Sequence, residues 1–478
     1  MKNDVIIIGS GLGGLLCARI LAGRGLRVTV LERHSVVGGC LQSYRRRGVC
    51  LDTGLHYIGG LAEGQRLRTV FEGLGLMRLP WQRLDPQGFD LVTIAGETFT
   101  FAEGYRAFAD TLAERFPKER DALHRYAAMM EHADSLPPGA PEVQTLCGVN
   151  AYDYLCENFS DPLLVNVLAG NGLKTEVRRE SLPLFHFLHA SFVGGGAWRL
   201  QGCGDDIARL LAADIEAMGG TIVTGAEVDE LIETDGVITA AHCKGGDTYE
   251  AATFISDLHP QHTFGLVKES KKLSRLFRRR IDMLENTYGM FTVSLVTDGA
   301  TPYFNHNKFI YREANVWEPP LCRPGSLSVD RVMVSCPVPP AASSGLSPQQ
   351  PAAQVVDLLT PVPLSLFQPW ADSRVGHRAD GYRQLKEQLA EECLSLARTV
   401  LPDLRPTRVY TSSPLTWRDY TLTPLGSAYG LRKDSRQPLM TILSPRTPIP
   451  NLLLTGQNLM LHGLEGVTMT ALQTCEAV

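Results

Sequence analysis

The chain reads as an α/β fold, and three observations carry that reading. Residues 5–33 run through an apolar segment, a glycine turn, a helical stretch and a second apolar segment. After long helical segments, strand-like runs return over residues 221–257. A last apolar triplet, Leu452 to Leu454, precedes a helical C-terminal stretch. Strands alternating with helices over such lengths are the pattern of a parallel sheet covered by helices.

Each piece of the opening unit has a physical task. Val5 to Ile8 is short and wholly apolar, as a strand buried on both faces must be. Gly9 makes the tight turn after it, Gly11 admits a pyrophosphate close to the backbone, and Gly14 lets the helix lie close on the strand. Leu12 and Gly13 open that helix, whose unpaired N–H groups and positive dipole end suit phosphate. Val28 to Leu31 forms the second strand and ends in Glu32 and Arg33. Glu32 stands at about the spacing expected of the carboxylate that holds ribose hydroxyls. Strand, turn, helix, strand and acid agree, so the chain binds a dinucleotide. A second glycine pair follows in Val36-Val37-Gly38-Gly39-Cys40, then Asp52-Thr53-Gly54-Leu55-His56-Tyr57. Another close backbone approach at this point suits a long cofactor running on towards its ring.

Farther along, helical spacing marks residues 104–133, and residues 150–192 are largely helical with many aromatics, among them Phe185, Phe187 and Phe192. Core packing explains most such rings, and the lining of an apolar cavity explains the rest. A helix is expected from Asp205 to Met218, stopped by Gly219-Gly220, then strands at 221–223, 227–233 and 237–243 with a turn at Asp235-Gly236. Pro337 to Pro351 should be a surface loop, and Asp380 to Val400 an amphipathic helix. The resulting division has one domain from residues 1–70, 193–260 and 441–478, and a second, interleaved α+β domain from 71–192 and 261–440.

Bulk composition excludes several classes. With 478 residues, 44% hydrophobic and 20% charged, the chain is long enough for an ample core. A net charge of −5 gives no reason to expect nucleic acid. The eleven cysteines are odd in number and never spaced Cys-x-x-Cys, which argues against a disulfide framework or a zinc site and for a reducing compartment. The first strand leaves no room for a signal peptide, and no apolar run spans a bilayer. A cytoplasmic protein is therefore expected, with Arg45-Arg46-Arg47 and Arg278-Arg279-Arg280 leaving peripheral membrane contact open.

In combination these motifs resemble those of the phytoene desaturase-like flavoenzymes, within the wider amine oxidase superfamily, and of their carotenoid isomerase and retinol saturase branch in particular. The likeness spans nearly the whole chain: Gly38-Gly39-Cys40 where desaturases commonly have Gly-Gly-Arg, Asp52-Thr53-Gly54-Leu55-His56-Tyr57, Trp198-Arg199 through Gly204 with Val228 after it, Ser256-Asp257-Leu258-His259-Pro260, Pro424 to Gly430, and Thr455-Gly456-Gln457. The resemblance implies a Rossmann-type FAD-binding domain built from discontinuous segments. It implies an FAD site at Gly9, Gly11, Leu12, Gly13, Gly14, Glu32, Arg33, Gly38, Gly39, Cys40, Gly54, Leu55, His56, Val228, Gly456, Gln457, Gly466 and Val467. It also implies hydride exchange at flavin N5 with a double bond of an apolar, carotenoid- or retinoid-like polyene, and an external electron donor or acceptor. The helix opening near Gly466-Val467 would aim its positive end at the flavin. His56 would sit by the flavin ring as a proton donor or acceptor, or as a structural histidine, and Tyr429 would line the substrate channel. His462 and Glu465 flank the same helix start. Saturation, desaturation and cis–trans isomerisation all stay open, as do an amine oxidase on the same fold and a non-catalytic polyene carrier.

Overall fold

The computed structural model describes residues 3–137, 139–188, 190–339 and 351–478. Asn3–Ile8 pairs in parallel with Val28–Glu32 on one side and Thr248–Ser256 on the other. Thr221–Thr224 and Leu452–Leu454 extend this parallel sheet at its two ends. Thr248–Ser256 also turns antiparallel to Val237–Cys243, which pairs with Val228–Thr234. The turn between those two strands is Asp235-Gly236, both with φ positive (50° and 87°), as a tight hairpin turn requires. Helices Leu12–Gly23, Asp205–Ala217 and Gly463–Glu476 share an apolar core against this sheet, with Leu15, Leu211 and Ala471 wholly buried.

A second seven-stranded sheet runs in the order Pro406–Ser412, Met290–Thr297, Val355–Pro361, Arg331–Ser335, Asn307–Tyr311, Asp90–Ile94, Glu97–Phe101. Helices Tyr105–Arg115 and Arg120–Ser135 pack on its far end, and Asp380–Arg398 covers the other. The 150–192 region is broken into short helices. Asn150 and Asp161 cap two of them, each side chain accepting a backbone N–H two residues on. Tyr152, Tyr154, Phe159 and Phe187 pack into or against the core, while Phe185 and Phe192 face a cavity. The 340–350 part of the proline-rich loop lies outside the described residues.

Two features depart from the sequence reading. Asp90–Ile94 and Glu97–Phe101 form a hairpin that the sequence does not announce, because its turn is Ala95-Gly96 and Ala95 adopts φ of 49° without the usual Asn or Asp. Contrary to the expectation of unpaired thiols, Cys50 and Cys203 form a disulfide across 153 residues, and the other nine cysteines are free. The fold brings the two sulfurs together by setting the hairpin Ser43–Asp52 beside the loop that opens the helix at Asp205, a proximity no sequence spacing reveals. Among the described residues, no helix is long and apolar enough to cross a membrane.

Candidate active site

The first strand ends against a cavity of about 560 Å³ lined by Gly9, Gly11, Leu12, Gly13, Glu32, Arg33, Gly39, Cys40, Val228, Gly456, Gln457 and Val467. Helix Leu12–Gly23 points its N-terminus into it, with Gly11 as N-cap, and the Asp257 carboxyl accepts the Gly11 and Gly14 N–H groups. The positive dipole end of the helix thus faces the cavity, where it suits a phosphate. A methyl group on Gly11 or Gly456 would overlap the Asp257 carboxylate, and one on Gly13 would come within 2.9 Å of the Gly456 backbone. The glycines thus form a bare-backbone cradle that closes on the Asp257 carboxyl at the edge of the cavity.

Glu32 is buried at the end of its strand. It accepts the Ser10 N–H (3.0 Å), the Ser10 hydroxyl (2.6 Å) and the His34 N–H (2.8 Å), which fixes the carboxylate at the cavity wall. Arg33 donates to the carbonyls of Asp419 and Tyr420, so its guanidinium ties a second segment over the cavity. Gly14 does not reach the cavity: a methyl there would overlap the Gly9 carbonyl oxygen, so its task is helix-on-strand packing. Gly38 packs toward Ala208, and Gly39 comes within 3.0 Å of Gly11 at its missing methyl. The second glycine pair therefore works by stacking on the first glycine loop. Leu55 packs against the core of the parallel sheet and lines neither cavity.

Sequence reading assigned no role to Asp257, yet it is the charged group nearest the cradle. Burial first, and the Glu32 charge second, push its carboxyl up to about 7, while the backbone N–H groups of Gly14 and Gly11 pull it down. Its folded value stands above the ordinary 3.8, so its stabilising contribution is complete below that value and is lost as pH rises through about 7. In the flavin-free protein, Asp257→Asn should gain thermal stability relative to wild type progressively from pH 5 to pH 8. A melting-temperature difference that is flat with pH would contradict this.

A second cavity, of about 650 Å³, meets the first where Gly466 lines one and Val467 the other, and where Gly54 approaches the Cys40 carbonyl. It holds His56, Tyr57, Lys174, Phe192, Tyr429, His462 and Glu465, with Arg66, Glu131 and Asp134 also on its wall. Helix Gly463–Glu476 opens beside it, with His462 as an N-cap that gives no side-chain cap. Glu465 accepts the Ser191 hydroxyl at 2.6 Å and is raised to about 6 by burial. Burial, with Arg199 nearby, lowers His56 to about 4, and His462 is likewise lowered to about 4. Both values lie below physiological pH, so burial disfavours the imidazolium form of either ring. The Tyr429 ring lies tilted at 4.7 Å from His462 and edge-on at 6.2 Å from Tyr288, and burial raises its hydroxyl well above the usual range. Cys40 is raised to about 11, a neutral thiol beside Gly54.

Behind this cavity lies a buried polar network that sequence reading missed. Asp90 accepts Tyr57 Oη (2.8 Å), Asn171 Nδ2 (3.0 Å) and Asn307 Nδ2 (2.9 Å), and Lys174 Nζ stands 3.7 Å away. Arg199 donates to Asn307 Oδ1 (2.7 Å), the Cys336 carbonyl (2.6 Å) and the His56 carbonyl (3.2 Å). These groups come from elements far apart in sequence, so only the fold assembles them.

The flavin containing amine oxidoreductase family model matches residues 12–260. The chain is 26% identical to the all-trans-retinol 13,14-reductase of Danio rerio over 99% of this chain and 85% of that protein. It is 23% identical to the chloroplastic prolycopene isomerase of Daucus carota over 96% of this chain and 76% of that protein. An oxidoreductase from Methanosarcina mazei superposes with a TM-score of 0.66 over 99% of this chain and 100% of that one, at 17% identity, a likeness of fold. With the glycine cradle, the helix N-terminus and a buried acid at the end of the second strand in place, the site fits FAD, and the chain belongs to the flavin containing amine oxidoreductase family as an FAD-dependent oxidoreductase.

Proposed function

We propose that this enzyme acts on a carbon–carbon double bond of an apolar polyene, retinoid- or carotenoid-like, as the names of its full-length relatives suggest. In this reading, residues 1–70, 193–260 and 441–478 form the FAD domain, and 71–192 with 261–440 form the substrate domain. The dinucleotide would be held by Gly9 to Gly13, Glu32, Val228 and the Gly456-Gln457 turn, with Gly54, His56 and Gly466 as the residues to receive its ring. The chemistry FAD supplies there is two-electron hydride exchange.

The observation that carries the choice of substrate is Lys174. Its ammonium lies 4.1 Å from the Phe192 ring and 4.5 Å from the Tyr57 ring, inside the second cavity. A cation already occupies the space between these two rings, so a substrate ammonium would find these aromatic faces taken. A neutral polyene meets rings and the stem of the lysine instead. Access from a membrane surface is supported by Leu276 (78% exposed), Met283 (69%) and Leu439 (79%), which stand on the surface beside Arg279 and Arg280. That arrangement suits an interface with anionic lipid.

The test is anaerobic. Reduced holoprotein mixed with all-trans-retinol or a carotenoid delivered in anionic vesicles should recover its oxidised flavin absorbance if it saturates the polyene. Oxidised holoprotein should bleach if it desaturates it, and an isomerase should change polyene geometry with no net flavin change. Bleaching by amines, with no response to any polyene, would overturn the reading, and failure to cosediment with the vesicles would remove the membrane route.

A further inference from the structure

Lys174 is an unusual residue to find between rings. It is the last residue of the short helical turn Gly172–Lys174, its side chain only 13% exposed, and its ammonium also makes a hydrogen bond with the Tyr57 hydroxyl. Asp90 is fully buried and holds three other donors, so the lysine is placed within 3.7 Å of a fixed carboxylate and still faces the cavity. Of the other titratable groups nearby, Glu465, raised to about 6, is tied to the Ser191 hydroxyl, and Lys433, lowered to about 7, is held by the carbonyls of Thr441, Asn458 and Leu459. Tyr57, Tyr288 and Tyr429 are driven up by burial, and His462, hydrogen-bonded to the Lys174 backbone, is driven down. Burial lowers Lys174 itself to about 8, with Asp90 opposing. A buried amine tuned towards the working pH is what general acid–base transfer demands.

We propose that Lys174 is a catalytic residue of the polyene reaction: its Nζ gives a proton to one carbon of the double bond as the neighbouring carbon takes a hydride, and accepts that proton in the opposite direction. This assignment rests on the function proposed above. In the saturating direction the π bond breaks and a C–H bond forms at each carbon. The hydride brings both electrons from a reduced flavin, which is oxidised, and the lysine is left neutral until water reprotonates it. Asp90 stabilises the ammonium and holds it in place. Tyr57 and Phe192 keep it dry and aimed.

Two variants separate proton transfer from charge balance. Lys174→Arg keeps a cation opposite Asp90 but does not release a proton in this range. Lys174→Gln removes the charge. Both should purify with flavin and bind retinol, read by the absorbance of each chromophore. Both should turn over at least about 100-fold more slowly than wild type. Wild-type saturation should fall as pH rises through about 8, and desaturation should rise through the same range. Trace acetylation of the flavin-free protein should show Lys174 titrating near pH 8. Added ethylamine should restore part of the turnover of Lys174→Gln, an effect a structural lysine would not show. Full activity in Lys174→Arg, or an unchanged pH profile in either variant, would overturn the assignment. A wild-type protein that binds flavin and polyene yet converts none would instead sink the underlying function and this proposal with it.

Discussion

Gly14→Ala should strip the protein of its flavin. The added methyl would overlap the Gly9 carbonyl oxygen, a backbone atom with nowhere to swing. The helix must then lift from the first strand, and its N-terminus moves away from the glycine cradle with it. Overpacking of this kind costs about 1–3 kcal/mol when side chains can yield, and here the obstacle is main chain. Flavin occupancy after purification should fall below about one tenth, because each 1.4 kcal/mol lost at the cradle is roughly a tenfold change in affinity. Stoichiometric flavin in the purified variant would contradict the geometry.

Arg199→Met should destabilise the whole second cavity. Arg199 is 3% exposed and links three carbonyl or amide oxygens from separate elements. Removing it deprives the buried His56 and Cys336 carbonyls of this donor, at about 1–3 kcal/mol each, and leaves Asn307 Oδ1 with the Ser335 hydroxyl. The loss should therefore be about 3 kcal/mol or more in a urea titration, with polyene binding impaired even where flavin is retained. Arg199→Lys should recover little, since one ammonium cannot match a planar fork of donors. A variant as stable as wild type would mean that the Asn307–Asp90 network needs no such anchor.

What was legible in the sequence is what is local. Gly9 to Gly14, Glu32 and the apolar runs beside them declare a βαβ unit because every device lies within some thirty residues. The helix Asp205–Ala217 and the strands after it were readable to within a residue or so, from periodicity and the glycines that stop it. The network around Asp90 was not legible. Tyr57, Asp90, Lys174, Arg199 and Asn307 each look like an ordinary polar residue in its own segment, and Lys174 precedes a charged run that reads as surface. Phe192 could be weighed as core or cavity lining but not assigned. The Ala95-Gly96 hairpin and the Cys50–Cys203 bond stayed hidden for the same reason: turn chemistry was atypical in one, and the partners were 153 residues apart in the other.

The measurement that bears most directly on polyene chemistry is the mass and retention of the products. Anaerobic holoprotein, once oxidised and once chemically reduced, is incubated with retinol and a small carotenoid panel. A product heavier by two hydrogens from the reduced protein, one lighter by two from the oxidised protein, or an isomer of unchanged mass and shifted retention is the predicted result. Polyenes recovered unaltered in both states, with peroxide released from an amine in air, would contradict it.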